Sequence, residues 1–343
     1  MTPEQVLDYP FPRTPEGGRV LEVAPGVKWV RMPLPFALNH INLWLLDDGD
    51  AAVIVDSGLG TIQTRELWEQ VFADELQGRP VSRVIATHCH PDHAGLAGWL
   101  TRKFNAPLLM SQADYLTAHA WRDEAAGYTS DNLIAFLREH GLDEPRLQGF
   151  RERGNHYRRN VPDFPNRYHR LLEGDELAIG PNRWRVIMGY GHAPEHAALY
   201  CAALGVLISG DMVLPKISTN VAVSSVDPDA NPLGLFLDSI VNYARLPGDT
   251  LVLPSHGLPF RGLRERVDQL VEHHRLRLAE LEEACATPKA AADVIGTLFR
   301  RELDTHQTFF AMGETLAHLN YLVRSGTLAR TRDTDGVVRY ART

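Results

Sequence analysis

Four side chains that can bind a metal ion lie within six consecutive positions: His88, His90, Asp92 and His93. Alternate residues of an extended segment point to the same side, so we expect His88 and His90 to face one way. Asp92 and His93 follow in the bend after Pro91 and can face a second ion. Imidazole and carboxylate ligands together suit zinc, and also iron, manganese or cobalt. The spacing therefore predicts a metal site, against the alternative of a solvated polar loop.

Short apolar segments rich in β-branched residues predict strands on both sides of this motif. They are Val20–Val30, Asn42–Leu46, Ala51–Asp56 and Val81–Thr87, then Glu176–Ile179, Trp184–Met188, Ala197–Cys201, Val206–Ser209 and Thr250–Pro254. Helical spacing of apolar residues after Thr61, from Gly95 and over Pro232–Ala244 predicts helices between them. Two β-rich halves with helices outside them predict an α+β fold, a four-layer αββα sandwich.

The run Thr87-His88-Cys89-His90-Pro91-Asp92-His93 resembles the THxHxDH signature of the metallo-β-lactamase superfamily, in its glyoxalase II-like form. Four other segments resemble the remaining motifs of that family and occur in the family's order. They are Asp56-Ser57-Gly58, the GHxxxH-like segment Gly191–His196, Ser209-Gly210-Asp211 and Ser255-His256-Gly257. The resemblance covers roughly residues 20–260, and several separate motifs in the right order are specific when taken together.

The resemblance implies which residues bind metal ions. The implied ligands are His88, His90 and His192 for a first ion, Asp92, His93 and His256 for a second, and Asp211 as a bridge between them. It also implies a hydrolase in which hydroxide bound by two zinc ions, or alternatively by iron or manganese, attacks the substrate. Asp92 and Asp211 would contribute to catalysis by offsetting the repulsion between the cations. His196 is expected to support the site rather than to bind metal.

Length and composition narrow the class of protein. With 343 residues, 44% of them hydrophobic and 23% charged, the chain is expected to be globular, with room for a catalytic domain and a smaller module. Three separated cysteines without a CxxC pair favour a reducing compartment, so we expect a cytoplasmic location. The start of the chain lacks the pattern of a secretory signal, and no apolar stretch is long enough to cross a membrane.

Two domains are expected along the chain. Residues 1–260 would form the metallo-β-lactamase-like catalytic domain, in which 111–170 is a helical and basic insertion over the site. Residues 261–343 would form a mostly helical module. Three helical segments followed by a hairpin resemble the winged-helix tail found in one branch of the superfamily.

Two local signals support this view of the C-terminal module. Asp335-Gly336 predicts the turn of the hairpin. Thr287 followed by Pro288 predicts the N-cap and first turn of the middle helix. The tail could pack on the core, support a homodimer or contact nucleic acid through its arginines, which are Arg324, Arg330, Arg332, Arg339 and Arg342.

Basic side chains near the expected site favour an anionic small-molecule substrate. Lys216 follows Asp211 closely, and Tyr157, Arg158 and Arg159 lie in an arginine-rich stretch. Phosphate- or carboxylate-bearing substrates, such as coenzyme A thioesters or RNA, would suit these side chains. A solvated helix face paired with acids is the alternative interpretation. The net charge of −8 makes nucleic acid a less favoured partner.

Three enzymatic functions fit the implied metal centre. Hydrolysis of a small-molecule ester, thioester or lactone is favoured. A nuclease acting on single-stranded RNA would use the same metals and add phosphate contacts. An iron persulfide dioxygenase would use His88, His192 and Asp211 as a facial triad. A non-catalytic binding module is disfavoured because the set of ligands is complete.

Overall fold

A seven-stranded sheet forms the first half of the fold. The computed structural model describes residues 7–125 and 127–343. The strands pair in chain order and are β1 (Val20–Ala24), β2 (Val27–Pro33), β3 (His40–Asp48), β4 (Ala51–Val55), β5 (Val81–Ile85), β6 (Leu108–Met110) and β7 (His169–Arg170). Strands β1 to β4 run antiparallel, whereas β4 to β7 run parallel. The predicted run Val20–Val30 is therefore a hairpin, which turns at Pro25 and Gly26.

A five-stranded sheet forms the second half. Its strands are β8 (Glu176–Ile179), β9 (Asn182–Gly189), β10 (His196–Cys201), β11 (Val206–Gly210) and β12 (Leu251–Pro254). They are ordered β12-β11-β10-β9-β8, and only the β11 and β12 pair is parallel. Both sheets therefore contain a parallel pair whose strands end at a common edge.

Eleven α-helices lie in the described ranges. They are α1 (Ile62–Val71), α2 (Pro91–Ala94), α3 (Ala97–Phe104), α4 (Gln112–Arg122), α5 (Ser130–Glu139), α6 (Glu144–Arg153), α7 (His156–Asn160), α8 (Pro232–Tyr243), α9 (Leu263–Ala284), α10 (Ala291–Leu298) and α11 (Thr305–Arg324). Helix α1 starts after Thr61, whose hydroxyl accepts a hydrogen bond from the Thr64 amide at 3.1 Å. No helix of the described ranges is both long and apolar enough to cross a membrane.

Both faces of the seven-stranded sheet are buried. On β3, Ile41, Leu43 and Leu45 share a core with side chains of α1 and α3. The alternate residues Trp44 and Leu46 pack in a second core with side chains of the five-stranded sheet. A strand that is buried on both faces is expected to be a continuous run of apolar residues, and β3 has this pattern in its sequence. The predicted α+β class, with sheets packed face to face and helices outside, is confirmed.

The chain divides into two compact units, each made of several segments. The first contains both sheets and consists of Met1–Arg122, Tyr157–Thr219 and Ser239–Val267. The second consists of Asp123–His156, Asn220–Asp238 and Asp268–Thr343. The helical character predicted for the C-terminal region is confirmed by α9, α10 and α11. The domain boundary predicted at residue 260 stays a prediction.

The C-terminal hairpin consists of β13 (Leu328–Arg332) and β14 (Val338–Arg342), with Gly336 in the turn at a φ of 82°. The predicted start of α10 at Thr287 and Pro288 is wrong. Lys289 instead forms a β-bridge with Tyr340, with amide-to-carbonyl distances of 2.8 and 3.0 Å. An extended residue at this position postpones the helix, so that Ala290 becomes its N-cap.

Candidate metal centre

The candidate site lies where parallel strands end. The loop that carries the first four candidate ligands, residues 88–93, follows β5, and Asp56 follows its parallel neighbour β4. In the other sheet, Asp211 follows β11, and His256 lies two residues after its parallel neighbour β12. The carboxyl ends of parallel strands meet at one edge, so these polar residues come together there.

One group of potential ligands consists of His88, His90, His192 and Asp211. Nε2 of His88 lies 2.9 Å from Nδ1 of His90 and 3.2 Å from Nε2 of His192. Nε2 of His192 lies 3.3 Å from Oδ2 of Asp211. One ligand atom from each residue lies within 4.8 Å of the others, which is close enough for all four to bind one ion.

A second group consists of Asp92, His93 and His256. Oδ2 of Asp92 lies 3.5 Å from Nε2 of His256 and 3.9 Å from Nε2 of His93. Asp211 is also close to this group. Its Oδ1 lies 3.5 Å from His256 Nε2, and its Oδ2 lies 3.5 Å from His93 Nε2. The carboxylate of Asp211 therefore stands between the two groups.

Two buried atoms in this cluster suit a cation. In the described part of the chain, Nε2 of His93 and Oδ1 of Asp211 are buried and have no hydrogen-bond partner. Such atoms are energetically unfavourable unless something binds them. Both face the other potential ligands at the distances given above. The donor set of imidazoles and carboxylates thus fits transition-metal ions.

Burial and neighbouring side chains set the protonation of His88, His90 and Asp211 in the first group. Burial holds the pKa of His88 and of His90 well below the ordinary value, and neighbouring imidazoles add to this effect. Both side chains are therefore neutral near pH 7, and the neutral imidazole is the form that binds metal. Burial opposes the charge of Asp211, but His256 and His93 still hold the pKa of its carboxyl well below the ordinary value.

Residues behind the ligands fix the orientation of two imidazoles. Asp56 Oδ2 accepts a hydrogen bond from Nδ1 of His93 at 2.8 Å, and it also accepts one from the Thr87 hydroxyl at 2.9 Å. The backbone carbonyl of His40 accepts from Nδ1 of His256 at 2.8 Å. In both histidines, Nε2 is thereby left to face the metal centre.

His40 contributes its side chain to the same support, although its position in the sequence suggests no such role. Its Nε2 accepts a hydrogen bond from the Gly257 amide at 2.9 Å, next to the candidate ligand His256. Burial lowers the pKa of His40 to about 3, with Arg31 and His256 adding to the shift. The ring is therefore neutral near pH 7 and can accept this bond.

The four predicted substrate residues lie in different surroundings. Lys216, Arg158 and Arg159 are exposed. Tyr157 is half-buried, and its hydroxyl donates to the carbonyl of Cys89 at 2.6 Å. The structure therefore ties Tyr157 to the loop of candidate ligands, and substrate contact by the three basic residues stays a prediction.

An aromatic surface adjoins the first group. The Trp121 ring is half-buried and stacks against His90 with 6.1 Å between ring centroids. Tyr157 lies against the same indole with 5.3 Å between centroids. Trp121 carried no signal in the sequence, because its helical spacing on α4 is equally typical of a core residue.

Comparison with known proteins identifies two matching families. The sequence model of the Metallo-beta-lactamase superfamily matches residues 38–256, which include all seven candidate ligands. The model described as Metallo-beta-lactamase-like, C-terminal domain, matches residues 278–343.

Two solved structures resemble this chain over 94% or more of its length. A beta-lactamase domain protein from Burkholderia ambifaria has 49% sequence identity and a TM-score of 0.93, with 100% of both chains covered. A metallo-beta-lactamase family protein from Thermus thermophilus has 32% identity and a TM-score of 0.80, with 94% of this chain and 100% of that chain covered.

Two curated proteins are similar at lower identity. A probable metallo-hydrolase of Bacillus subtilis is 26% identical over 85% of this chain and 91% of its own length. An acyl-coenzyme A thioesterase of Gallus gallus is 27% identical over 55% of this chain. The match to the thioesterase spans 63% of that protein's length.

Proposed function

The chain belongs to the metallo-beta-lactamase superfamily, and from this premise we propose that it hydrolyses a small-molecule ester, thioester or lactone with two bound zinc ions. One observation carries the proposal. Two adjoining groups of ligands share the carboxylate of Asp211, which lies within 3.5 Å of His192, His93 and His256. A bridging carboxylate between two such groups is the arrangement expected for a dinuclear centre.

Each group would hold one ion, with Asp211 between them. When bound, zinc would supply Lewis acidity, which lowers the pKa of water and polarises a carbonyl oxygen. Asp92 and Asp211 supply negative charge that offsets the charge of the cations. The thiol of Cys89 is buried, and burial raises its pKa well above the ordinary value, so this cysteine does not serve as a nucleophile.

Two observations favour an acyl substrate. The similar Gallus gallus protein is named an acyl-coenzyme A thioesterase. The half-buried indole of Trp121 beside His90 offers an apolar surface to an acyl chain next to the metal centre. The exposed side chains of Lys216, Arg158 and Arg159 are the basic groups we propose for an anionic portion of the substrate.

Finer parts of the proposal rest on the same motifs. His93 and Asp211 support assignment to the glyoxalase II-like branch, and three helices followed by a hairpin support a winged-helix-like module at 261–343. The catalytic domain would then be 1–260. A homodimer and a cytoplasmic location stay predictions.

Ion pairs within the second unit make a nuclease less favourable. Arg330 pairs with Asp229, Arg332 pairs with Glu139 at 3.2 Å, and Arg339 pairs with several acids. Arginines paired with acids have less to gain from binding phosphate. The persulfide dioxygenase remains the second candidate, because the grouping of His88, His192 and Asp211 supplies a facial triad.

The test is turnover of a substrate panel by zinc-loaded protein, with the Asp211→Ala variant as the blank. The panel contains acyl-coenzyme A thioesters, lactones, β-lactams and a single-stranded RNA. Thioester or lactone hydrolysis that disappears in the variant supports the proposal. Cleavage of RNA alone would replace it with the nuclease, and oxygen consumption with a persulfide by iron-loaded protein would replace it with the dioxygenase.

A further inference from the structure

Two loops that carry candidate ligands meet at one buried carboxylate, that of Asp114 on α4. Its Oδ1 accepts a hydrogen bond from the Cys89 amide at 2.8 Å. Its Oδ2 accepts a hydrogen bond from the Glu195 amide at 2.7 Å. Cys89 lies between His88 and His90, and Glu195 lies three residues after His192. One side chain therefore joins the two loops that supply the three histidines of the first group.

Asp114 itself is held firmly. It has 0% exposure and lies in the first turn of α4, where a carboxylate is favoured by the helix dipole. The hydroxyl of Ser111 lies 3.2 Å from Oδ2 and 3.4 Å from the amide nitrogen of Asp114. Hydrogen bonds from backbone amides to a buried carboxylate are among the stronger ones in proteins.

Two further contacts hold the same loops. The Tyr157 hydroxyl donates to the carbonyl of Cys89 at 2.6 Å, so this residue is held at both its amide and its carbonyl. The side chain of Glu195 accepts from the Ala113 amide at 3.2 Å, which ties the second loop to α4 again. Each loop therefore has its backbone held at the residue beside or near its histidine ligands.

We propose that Asp114 is a positioning residue, which holds the loops of His88, His90 and His192 at the separation that lets these side chains share one metal ion. The inference rests on the metal binding of the proposed function and not on the identity of its substrate. Without the carboxylate, the loops would have to be brought together at the moment of binding. The free energy needed to bring the loops together would reduce the binding free energy of the first ion, so the affinity for that ion would fall.

Two histidines of the second group have separate supports. His93 is oriented by Asp56, and His256 is oriented by the carbonyl of His40. The loss caused by changing Asp114 should therefore fall on the first group. A merely structural role would instead lower the stability of the fold. The affinities of both groups for metal would then stay the same as in the unaltered protein.

The test is Asp114→Asn, in which an amide group replaces one acceptor and faces a backbone N–H. It is measured in a His256→Ala background, where only the first group keeps its full set of ligands. Zinc affinity is measured by competition with a chromophoric chelator, and the visible spectrum of bound Co²⁺ reports ligand geometry. We expect the affinity to fall about 10- to 100-fold and the Co²⁺ bands to shift.

One control separates positioning from general destabilisation. Asp48→Asn removes a partly buried carboxylate that accepts from the Gly180 amide at 2.8 Å, far along the chain from any candidate ligand. This variant should bind zinc as the unaltered protein does.

An Asp114→Asn variant with zinc affinity within about twofold of its parent and an unchanged Co²⁺ spectrum would overturn the proposal. If that variant does not fold, Tyr157→Phe removes a single hydrogen bond to the same Cys89 residue. It should lower the affinity about fivefold, and an unchanged affinity would count equally against the proposal. Because no substrate is involved, failure of the hydrolysis panel with intact zinc binding would overturn only the proposed function.

Discussion

The backbone amide of Asp211 donates a hydrogen bond to Nε2 of His196 at 3.2 Å. His196 is fully buried and belongs to neither group of potential ligands. Burial lowers the pKa of His196 to about 3, so the ring is neutral and can accept this bond near pH 7. It thereby fixes the backbone from which the carboxylate of Asp211 extends.

The variant His196→Phe should weaken metal binding while keeping the volume of the ring. Asp211 would lose the acceptor for its amide, and we expect zinc affinity to fall about 10-fold or more. His119→Phe is the matched control, because the His119 ring likewise bonds a backbone group, here the carbonyl of Pro165, outside the candidate centre. Equal zinc affinities of the two variants in a chelator competition would contradict this role.

Asp56→Asn should act on the second group. The carboxylate accepts from His93 Nδ1 at 2.8 Å and so leaves Nε2 of that ring to the metal. An asparagine can present its NH₂ group to the ring instead, which would favour the wrong tautomer. We expect a protein that holds about one ion per chain after dialysis, as measured by elemental analysis. Retention of both ions would show that His93 does not need this partner.

Glu314 on α11 predicts a pH effect on stability that is separate from the metal centre. Burial raises the pKa of its carboxyl to about 7, although Asn220 donates a hydrogen bond to it at 3.0 Å. The folded protein therefore retains this proton at a pH at which the unfolded chain has released it. The contribution of this carboxyl to the stability of the folded protein is fully present below its unfolded pKa of about 4.5 and is lost as pH rises through about 7.

Glu314→Gln should remove this loss, because an amide is neutral at every pH. Relative to the unaltered protein, its free energy of unfolding should be higher by up to about 3 kcal/mol at about pH 8 and little changed at about pH 4. Urea unfolding of both proteins at the two pH values checks this, with Glu272→Gln as an exposed control. A variant that is less stable at the higher pH would mean that the buried charge is well compensated.

The metal motifs and the sheets were predictable from the sequence because both are local signals. Consecutive apolar residues such as Leu43, Trp44 and Leu45 indicate a strand buried on two faces, whichever partners it has. The histidines and aspartates of the motif are recognisable as potential metal ligands from their residue types and their spacing. The structure then brings His192, Asp211 and His256 to residues 88–93 from distant parts of the chain.

The supporting residues were not predictable, because their roles depend on long-range contacts. Asp114 contacts Glu195, which is 81 residues away, and His40 contacts Gly257, which is 217 residues away. A long-range contact also explains why the helix start predicted at Thr287 and Pro288 is wrong. Pairing of Lys289 with Tyr340 keeps the chain extended there. The arginine-rich stretch likewise has acids as partners, as in the pair of Arg146 with Asp143 at 2.9 Å.

We propose that two ions held around Asp211 make the chain a hydrolase. The most direct measurement titrates metal-free protein with zinc while following hydrolysis of the substrate that the panel identifies. We predict that turnover rises with bound zinc, reaches its plateau at two equivalents per chain and is abolished in Asp211→Ala. Full turnover in chelator-treated protein, or a plateau at one equivalent, would contradict the account.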